Sequence, residues 1–248
     1  MSIFKEGIEM VDYLQKKRVV LKLSGSIFSL SDTHVQDSNN YYNIFKQYSD
    51  VLIKLTNNVQ LIVITGGGSI ARLYIKFARK LGLDEASLDL LGIAISRVNA
   101  KLLIASLGNY AYPEIPQSLD EVGRFMESNK IIVSGGLHPG QSTNATSALI
   151  AEKTRASEFI NATDVNGIYD SDPRKNKDAQ LFEKIELGKL LTLLLKESSM
   201  AGEYDLLDII ALKVIERSKI RTKVILSNPN NLSNAIQGRN YIGTEVLP

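Results

Sequence analysis

Five short runs rich in Val, Ile and Leu punctuate this chain of 248 residues, and three of them run straight into glycine. The runs are RVVLKLS (18–24), QLIVITG (60–66), KIIVSGG (130–136), EFINATD (158–164) and RTKVILS (221–227). Near-continuous β-branched runs of this length are the mark of strands buried on both faces. Helical periods lie between them. Ile70, Leu73, Tyr74, Phe77, Ala78 and Leu81 form one apolar stripe, Phe45, Tyr48, Leu52 and Leu55 another, and Leu206, Ile209, Ile210, Lys213 and Val214 a third. Ser118 and Glu121 stand at capping-box spacing. Strands alternating with helices predict an α/β chain: a three-layer α/β/α sandwich around a central, mostly parallel sheet. In such sheets ligands bind beyond the carboxyl ends of the strands.

Composition narrows the chemistry. There is no cysteine, which excludes disulfides, thiolate metal sites and a cysteine nucleophile. Only two histidines occur, His34 and His138. Apolar residues make up 44% and charged residues 23%, and the net charge is +2, so neither disorder nor a large basic nucleic-acid surface is implied. No targeting segment is evident, and no run approaches the roughly 20 apolar residues of a membrane span. Residues 1–17 read as a short amphipathic arm ahead of a single domain. The expectation is a soluble cytoplasmic protein with no nucleic-acid or membrane partner, working with Lys, Arg, Asp, Ser, Thr and backbone amides. Those groups suit phosphate.

The strand ends carry the signal. Lys22-Leu23-Ser24-Gly25-Ser26, Gly66-Gly67-Gly68-Ser69 and Ser134-Gly135-Gly136 each turn from a strand toward a helix, and Thr163-Asp164 ends a fourth strand. Glycine permits a sharp turn and close approach to a ligand, and helix-start amides favour anions. Tight strand-to-helix connections alone would also explain single turns. No G-x-x-x-x-G-K-[ST] is present. Gly66-x-Gly68-x-x-Ala71 is a relaxed dinucleotide fingerprint, but Asp84, Glu85 and Asp89 fall in helical surroundings instead of ending the next strand. Lys22 inside an apolar strand is either solvated on an edge or a cation for a transferring phosphoryl group. Leu137 to Asn144 carries hydroxyls and amides before a helix over 145–152, which fits a phosphate or ribose, with one of Ser142, Thr143 and Asn144 as N-cap.

In this order, K-L-S-G-S (22–26), I-T-G-G-G-S-I-A-R (64–72), L-D-L-L-G-I (88–93), S-R-V-N-A (96–100), G-G-L-H-P-G-Q-S-T (135–143), T-D-V-N-G-I-Y-D-S-D-P (163–173) and L-L-D-I-I-A-L-K-V-I-E-R-S-K-I (206–220) resemble the amino-acid-kinase superfamily, and within it the archaeal type of uridylate (UMP) kinase. The resemblance spans about 18–248. It implies transfer of a phosphoryl group from ATP to UMP, with Mg²⁺ brought by ATP and no separate metal site. It divides the domain into an acceptor half (18–150) and an ATP half (151–248), and it implies a homohexamer. Carried over by position, Lys22 is the catalytic lysine. Gly25, Ser26, Gly68, Arg72, Thr163, Tyr169 and Asp172 bind ATP. Gly67, Asp89, Leu137, His138, Pro139, Gly140, Gln141, Ser142 and Thr143 bind UMP. Arg97 and Asn99 also match and read first as helix-surface or subunit-contact residues.

Two departures stand out. The family pattern T-N-V-D-G appears here as Thr163-Asp164-Val165-Asn166-Gly167, so a carboxylate has moved two residues. Asn144 stands where many members carry an aspartate that orients the lysine. These departures keep open a non-catalytic nucleotide- or oxyanion-storage relative; another small-molecule phosphate kinase of the same fold is a further alternative, although Gly136-Leu137-His138-Pro139 does not supply the His-Gly-Asp segment expected of isopentenyl phosphate kinase.

Overall fold

The computed structural model describes residues 16–28, 38–173, 175–197 and 206–247. All but the last two residues of the arm expected over 1–17 lie outside these, as does His34. Seven strands form one sheet in the order β3-β2-β1-β4-β6-β7-β5. They are β1 (Lys17–Leu23), β2 (Val59–Thr65), β3 (Ile132–Ser134), β4 (Glu158–Thr163), β5 (Lys184–Glu186), β6 (Arg221–Leu226) and β7 (Gly243–Leu247). The five expected strands are present and mutually parallel. β5 and β7 are additions at one edge, and β7 runs antiparallel to β6.

Eight helices are described: α1 (Ser38–Leu55), α2 (Gly68–Lys80), α3 (Glu85–Leu107), α4 (Leu119–Met126), α5 (Thr143–Lys153), α6 (Leu187–Glu197), α7 (Ile209–Ser218) and α8 (Pro229–Ile236). Successive residues of a strand face opposite layers, and β1 shows this directly. Val19, Leu21 and Leu23 join the core with Leu52 of α1, Leu103 of α3 and Leu232 of α8. Val20 joins the other core, with Val122 of α4, Ala148 of α5, Leu190 of α6 and Leu212 of α7. By the same alternation Lys22 faces the α5 layer.

The chain builds β1, β2 and β3 outward in one direction and then places β4 on the other side of β1. The carboxyl ends of β1 and β4 therefore flank the point where strand order reverses, the usual crevice of such a sheet. At the other end, the buried pair Lys223 Nζ–Glu158 Oε1 (2.6 Å) ties β6 to the start of β4, away from that crevice.

The stripe on α2 does not enter either core. α2 packs on α3, where Ala71 and Ala78 are buried, while Leu73, Tyr74, Phe77 and Leu81 are exposed. The stretch Glu85–Tyr110 is long and apolar enough, by length and composition, to cross a membrane, contrary to the expectation from the sequence. Here its helix packs against β2 and β3, and its polar residues hold the strand ends, as a core helix of the sandwich does.

Candidate active site

The turns after β1 and β2 meet backbone to backbone. A Cβ on Gly25 would stand 2.2 Å from the Gly68 nitrogen, and one on Gly66 would stand 2.9 Å from the Gly25 nitrogen. Gly68 itself has φ +68°. The Gly66 amide donates to the Leu23 carbonyl, which closes the contact. The two glycine turns thus form one floor, with Ser26 and Arg72 exposed at its rim. α5, α7 and α8 begin with side-chain caps from Ser142, Asp208 and Asn228, whereas α2 begins at Gly67 without one. A helix start of this kind, opening on glycine, favours an anion.

α3 holds this floor from behind. Asn99 Nδ2 donates to the Gly66 carbonyl at 2.7 Å, and Thr65 Oγ1 donates to the Ser96 carbonyl at 2.8 Å. Ser96 Oγ accepts from the Gly136 amide, and Arg97 Nε donates to the Gly136 carbonyl. Asn99 is 3% exposed, so it is a buried clamp on a glycine turn and not a helix-surface residue. Arg97 is half-buried and does the same for the turn after β3. Ser96 went unremarked in the sequence. Its signal was a polar pair, Ser96 and Asn99, one helical turn apart in an apolar helix.

Lys22 lies beside Asn161 in the β1–β4 register. Burial pushes its ammonium down to about 8, and the Asp164 carboxylate opposes that shift. Lys22 makes no hydrogen bond or ion pair among the described residues. Asn161 Nδ2 donates to the Leu206 carbonyl, which links the lysine's neighbour to the segment entering α7. Asn161 was also missed. A polar residue within the buried run EFINAT is costly unless it has a task.

The loop after β3 closes another side. Gly140 N donates to Asp89 Oδ2 at 2.7 Å, so Asp89 and the 137–143 segment are brought together as expected. His138, Pro139 and Gly140 are exposed, while the Leu137 side chain is buried in the core and offers a ligand only its backbone. Ser142 is the N-cap of α5, accepting from the Ala145 amide. Its hydroxyl also donates to Asp208 Oδ2, and Asp208 Oδ1 caps α7 through the Ala211 amide. Thr143 stands in the first turn of α5.

Beyond β4, Thr163 is 4% exposed and its hydroxyl serves the turn itself, accepting from the Val165 amide. Tyr169 is half-buried and lines a small, open apolar pocket of about 20 Å³, with Ile168, Leu190, Leu193, Leu194 and Leu207. Asp172 closes a turn through its carbonyl, which accepts from the Lys175 and Asn176 amides. Among the described residues no three His, Cys, Asp or Glu side chains converge on a metal site.

This arrangement, with an amide-rich floor, one buried lysine at its end, a polar loop on one side and an apolar cavity on the other, is suited to moving a phosphoryl group between two bound molecules. The comparisons agree with it. The uridylate kinase of Sulfolobus acidocaldarius is 42% identical over 93% of this chain and 99% of its own length. That of Methanothermobacter thermautotrophicus is 40% identical over the same shares. The crystal structure of uridylate kinase from Archaeoglobus fulgidus superposes with a TM-score of 0.80 at 35% identity, covering 92% of this chain and 99% of that one. UMP kinase from Ureaplasma parvum, at 21% identity and a TM-score of 0.76, shares the fold. Residues 17–226 match the amino acid kinase family, and the chain belongs to that family.

Proposed function

We propose that the protein is a uridylate kinase, transferring the γ-phosphoryl group of ATP to the phosphate of UMP to give ADP and UDP. The observation that carries this reading is Lys22, a half-buried lysine at the end of β1, three residues before the glycine floor. In-line transfer asks little covalent chemistry of the protein. It asks for alignment and for positive charge where the transferred group becomes most negative.

The residues divide by position. Gly25, Ser26, Gly68 and Arg72 border the amide floor and would hold the ATP phosphates. The region after β4, with Thr163, Tyr169 and Asp172, would take the adenosine. Gly67, Asp89 and the segment from Leu137 to Thr143 would hold UMP. Residues 18–150 are read as the acceptor half, which also lends the floor under the ATP phosphates, and 151–248 as the ATP half. Mg²⁺ would enter as part of the nucleotide substrate. It screens phosphate charge, while Lys22 supplies the protein's own.

The exposed apolar residues of α2 support assembly of copies of the chain, read here as a homohexamer, and the reading has the protein acting in the cytoplasm. The 40–42% identity to uridylate kinases over nearly the whole chain favours catalysis over a storage role. Chromatographic separation of nucleotides after incubation with ATP, Mg²⁺ and UMP tests the reading. UDP and ADP should appear in equal amounts. Binding of both nucleotides without UDP would replace it with the storage reading.

A further inference from the structure

The chain that leaves β4 crosses the carboxyl edge of the sheet and returns as β5. The Thr163 carbonyl accepts from the Ser227 amide beyond β6 at 2.6 Å, and Ile168 reaches the start of β7. From there the chain forms a hairpin. Its outgoing limb, 168–170, pairs antiparallel with its returning limb, 180–182. Tyr169 bridges Leu181, the Phe182 amide donates to the Ile168 carbonyl at 2.9 Å, and the Asp170 amide donates to the Gln180 carbonyl at 3.1 Å. Asp170 Oδ1 also accepts from the Gln180 amide. This hairpin carries Tyr169 and Asp172, two of the residues read as holding ATP.

A two-stranded ladder this short is marginal by itself in water. Its base is held from β7. Thr244, the second residue of that strand, is fully buried. Its hydroxyl accepts from the Ile168 amide at 2.8 Å and donates to the Phe182 carbonyl at 2.5 Å. One hydroxyl thus joins both limbs where they part from the sheet. Gly167 permits the approach: its φ is +146°, and a Cβ there would stand 2.6 Å from Thr244 Oγ1 and 3.0 Å from the Thr244 nitrogen. One residue on, the Glu245 amide donates to the Glu183 carbonyl at 2.9 Å, and β5 continues the pairing along β7.

We propose that Thr244 is the positioning residue of this hairpin: from the C-terminal strand its hydroxyl fixes the base of both limbs and so aims Tyr169 and Asp172 at ATP. Without that hydroxyl the Ile168 amide and the Phe182 carbonyl lose the partner that joins them, in a place closed to water. Because Thr244 is fully buried, it acts through the backbone of Ile168 and Phe182 and not by touching the nucleotide. The glycine floor and the UMP loop stand on other strands, so the effect falls on ATP. The proposal rests on the reading of the region after β4 as the ATP site.

The test combines amide hydrogen exchange, read by mass spectrometry, with titration calorimetry and steady-state kinetics on the full-length protein. In the wild type, ATP should slow exchange over 167–182 and UMP should not. Thr244→Val keeps the shape and removes the hydroxyl. It should speed exchange over that stretch by about tenfold and raise both Kd and KM for ATP by about tenfold. Kd for UMP should hold, and kcat at saturating ATP should fall by less than about twofold. Thr244→Ser should restore ATP affinity. Unchanged ATP affinity in Thr244→Val would overturn the proposal, as would equal weakening of ATP and UMP. If Thr244→Val fails to fold, Gly167→Ala decides from the hairpin side: it should weaken ATP selectively, and unchanged ATP affinity overturns the proposal. ATP that binds the wild type without slowing exchange over 167–182 would remove the ATP reading of this region and the proposal with it. ATP protection in the wild type with an insensitive Thr244→Val would remove the proposal alone.

Discussion

Asp89 Oδ2 accepts the Gly140 amide at 2.7 Å, so α3 grips the tip of the loop that follows β3. The second carboxylate oxygen remains for a ligand. One residue thus shapes the loop and lines the space beside it. Asp89→Ala should raise KM for UMP by about tenfold or more, the effect of losing hydrogen bonds to a charged group. KM for ATP should change little. Steady-state kinetics with each substrate varied checks this, and equal weakening of both would mean a folding defect.

Lys22 has opposed effects on activity and stability. Its pKa is lowered from 10.5 to about 8, so its charge, and the rate that depends on it, should fall as pH rises through about 8. Between about pH 8 and 10.5 the unfolded chain binds this proton and the folded chain does not, so this group makes folding more favourable as pH rises. Lys22→Met should cut turnover by about 10²–10³-fold while UMP still binds. It should also stabilise the fold by on the order of 2 kcal/mol, because a buried charge without a close partner is removed. Calorimetric unfolding and single-turnover rates measure the two. A variant that is both less stable and fully active would contradict both assignments.

Asp208 joins the N-caps of α5 and α7, which lie 66 residues apart in sequence. Asp208→Ala should destabilise by about 1–2 kcal/mol, the loss of a cap together with the Ser142 bond. Asp208→Asn keeps a capping oxygen and should lose less. Thermal unfolding of the two variants distinguishes them, and equal losses would contradict the capping role.

Gly25→Ala would place a Cβ 2.2 Å from the Gly68 nitrogen, a contact with backbone that cannot swing aside. The two turns would have to separate. ATP binding by calorimetry should weaken by at least about tenfold, with a cost of about 1–3 kcal/mol in stability. Unchanged ATP affinity would show that the floor does not hold phosphate.

Tyr74 and Phe77 are more than half exposed on α2. Tyr74→Glu with Phe77→Glu should shift sedimentation from an assembly to smaller species and leave the fold intact by circular dichroism. An unchanged sedimentation profile would place the contact elsewhere.

The sheet's centre was legible because its strands are buried on both faces and read as unbroken apolar runs. β5 and β7 were not. They are short strands toward one edge of the sheet, β5 outermost, bearing Lys184, Glu186 and Glu245, and their pairing is set by the rest of the sheet. The stripe on α2 showed that the helix is amphipathic, but period alone does not say whether its partner is the chain's own sheet or another molecule. At the site, glycine turns and Lys22 stood out because their residue types are expensive or unusual in strands. The clamps Ser96 and Asn99, and the Ser142–Asp208 tie, were hidden because each depends on a partner distant in sequence.

The most direct measurement is the initial rate of ADP release with ATP and Mg²⁺ and, in turn, UMP, CMP, dTMP and isopentenyl phosphate as acceptor. The account predicts rapid turnover with UMP, a kcat/KM at least about 10²-fold above the other acceptors as hydrogen-bonded recognition allows, and near abolition by Lys22→Met. A higher kcat/KM with isopentenyl phosphate, or no UMP-dependent release while UMP binds, would contradict it.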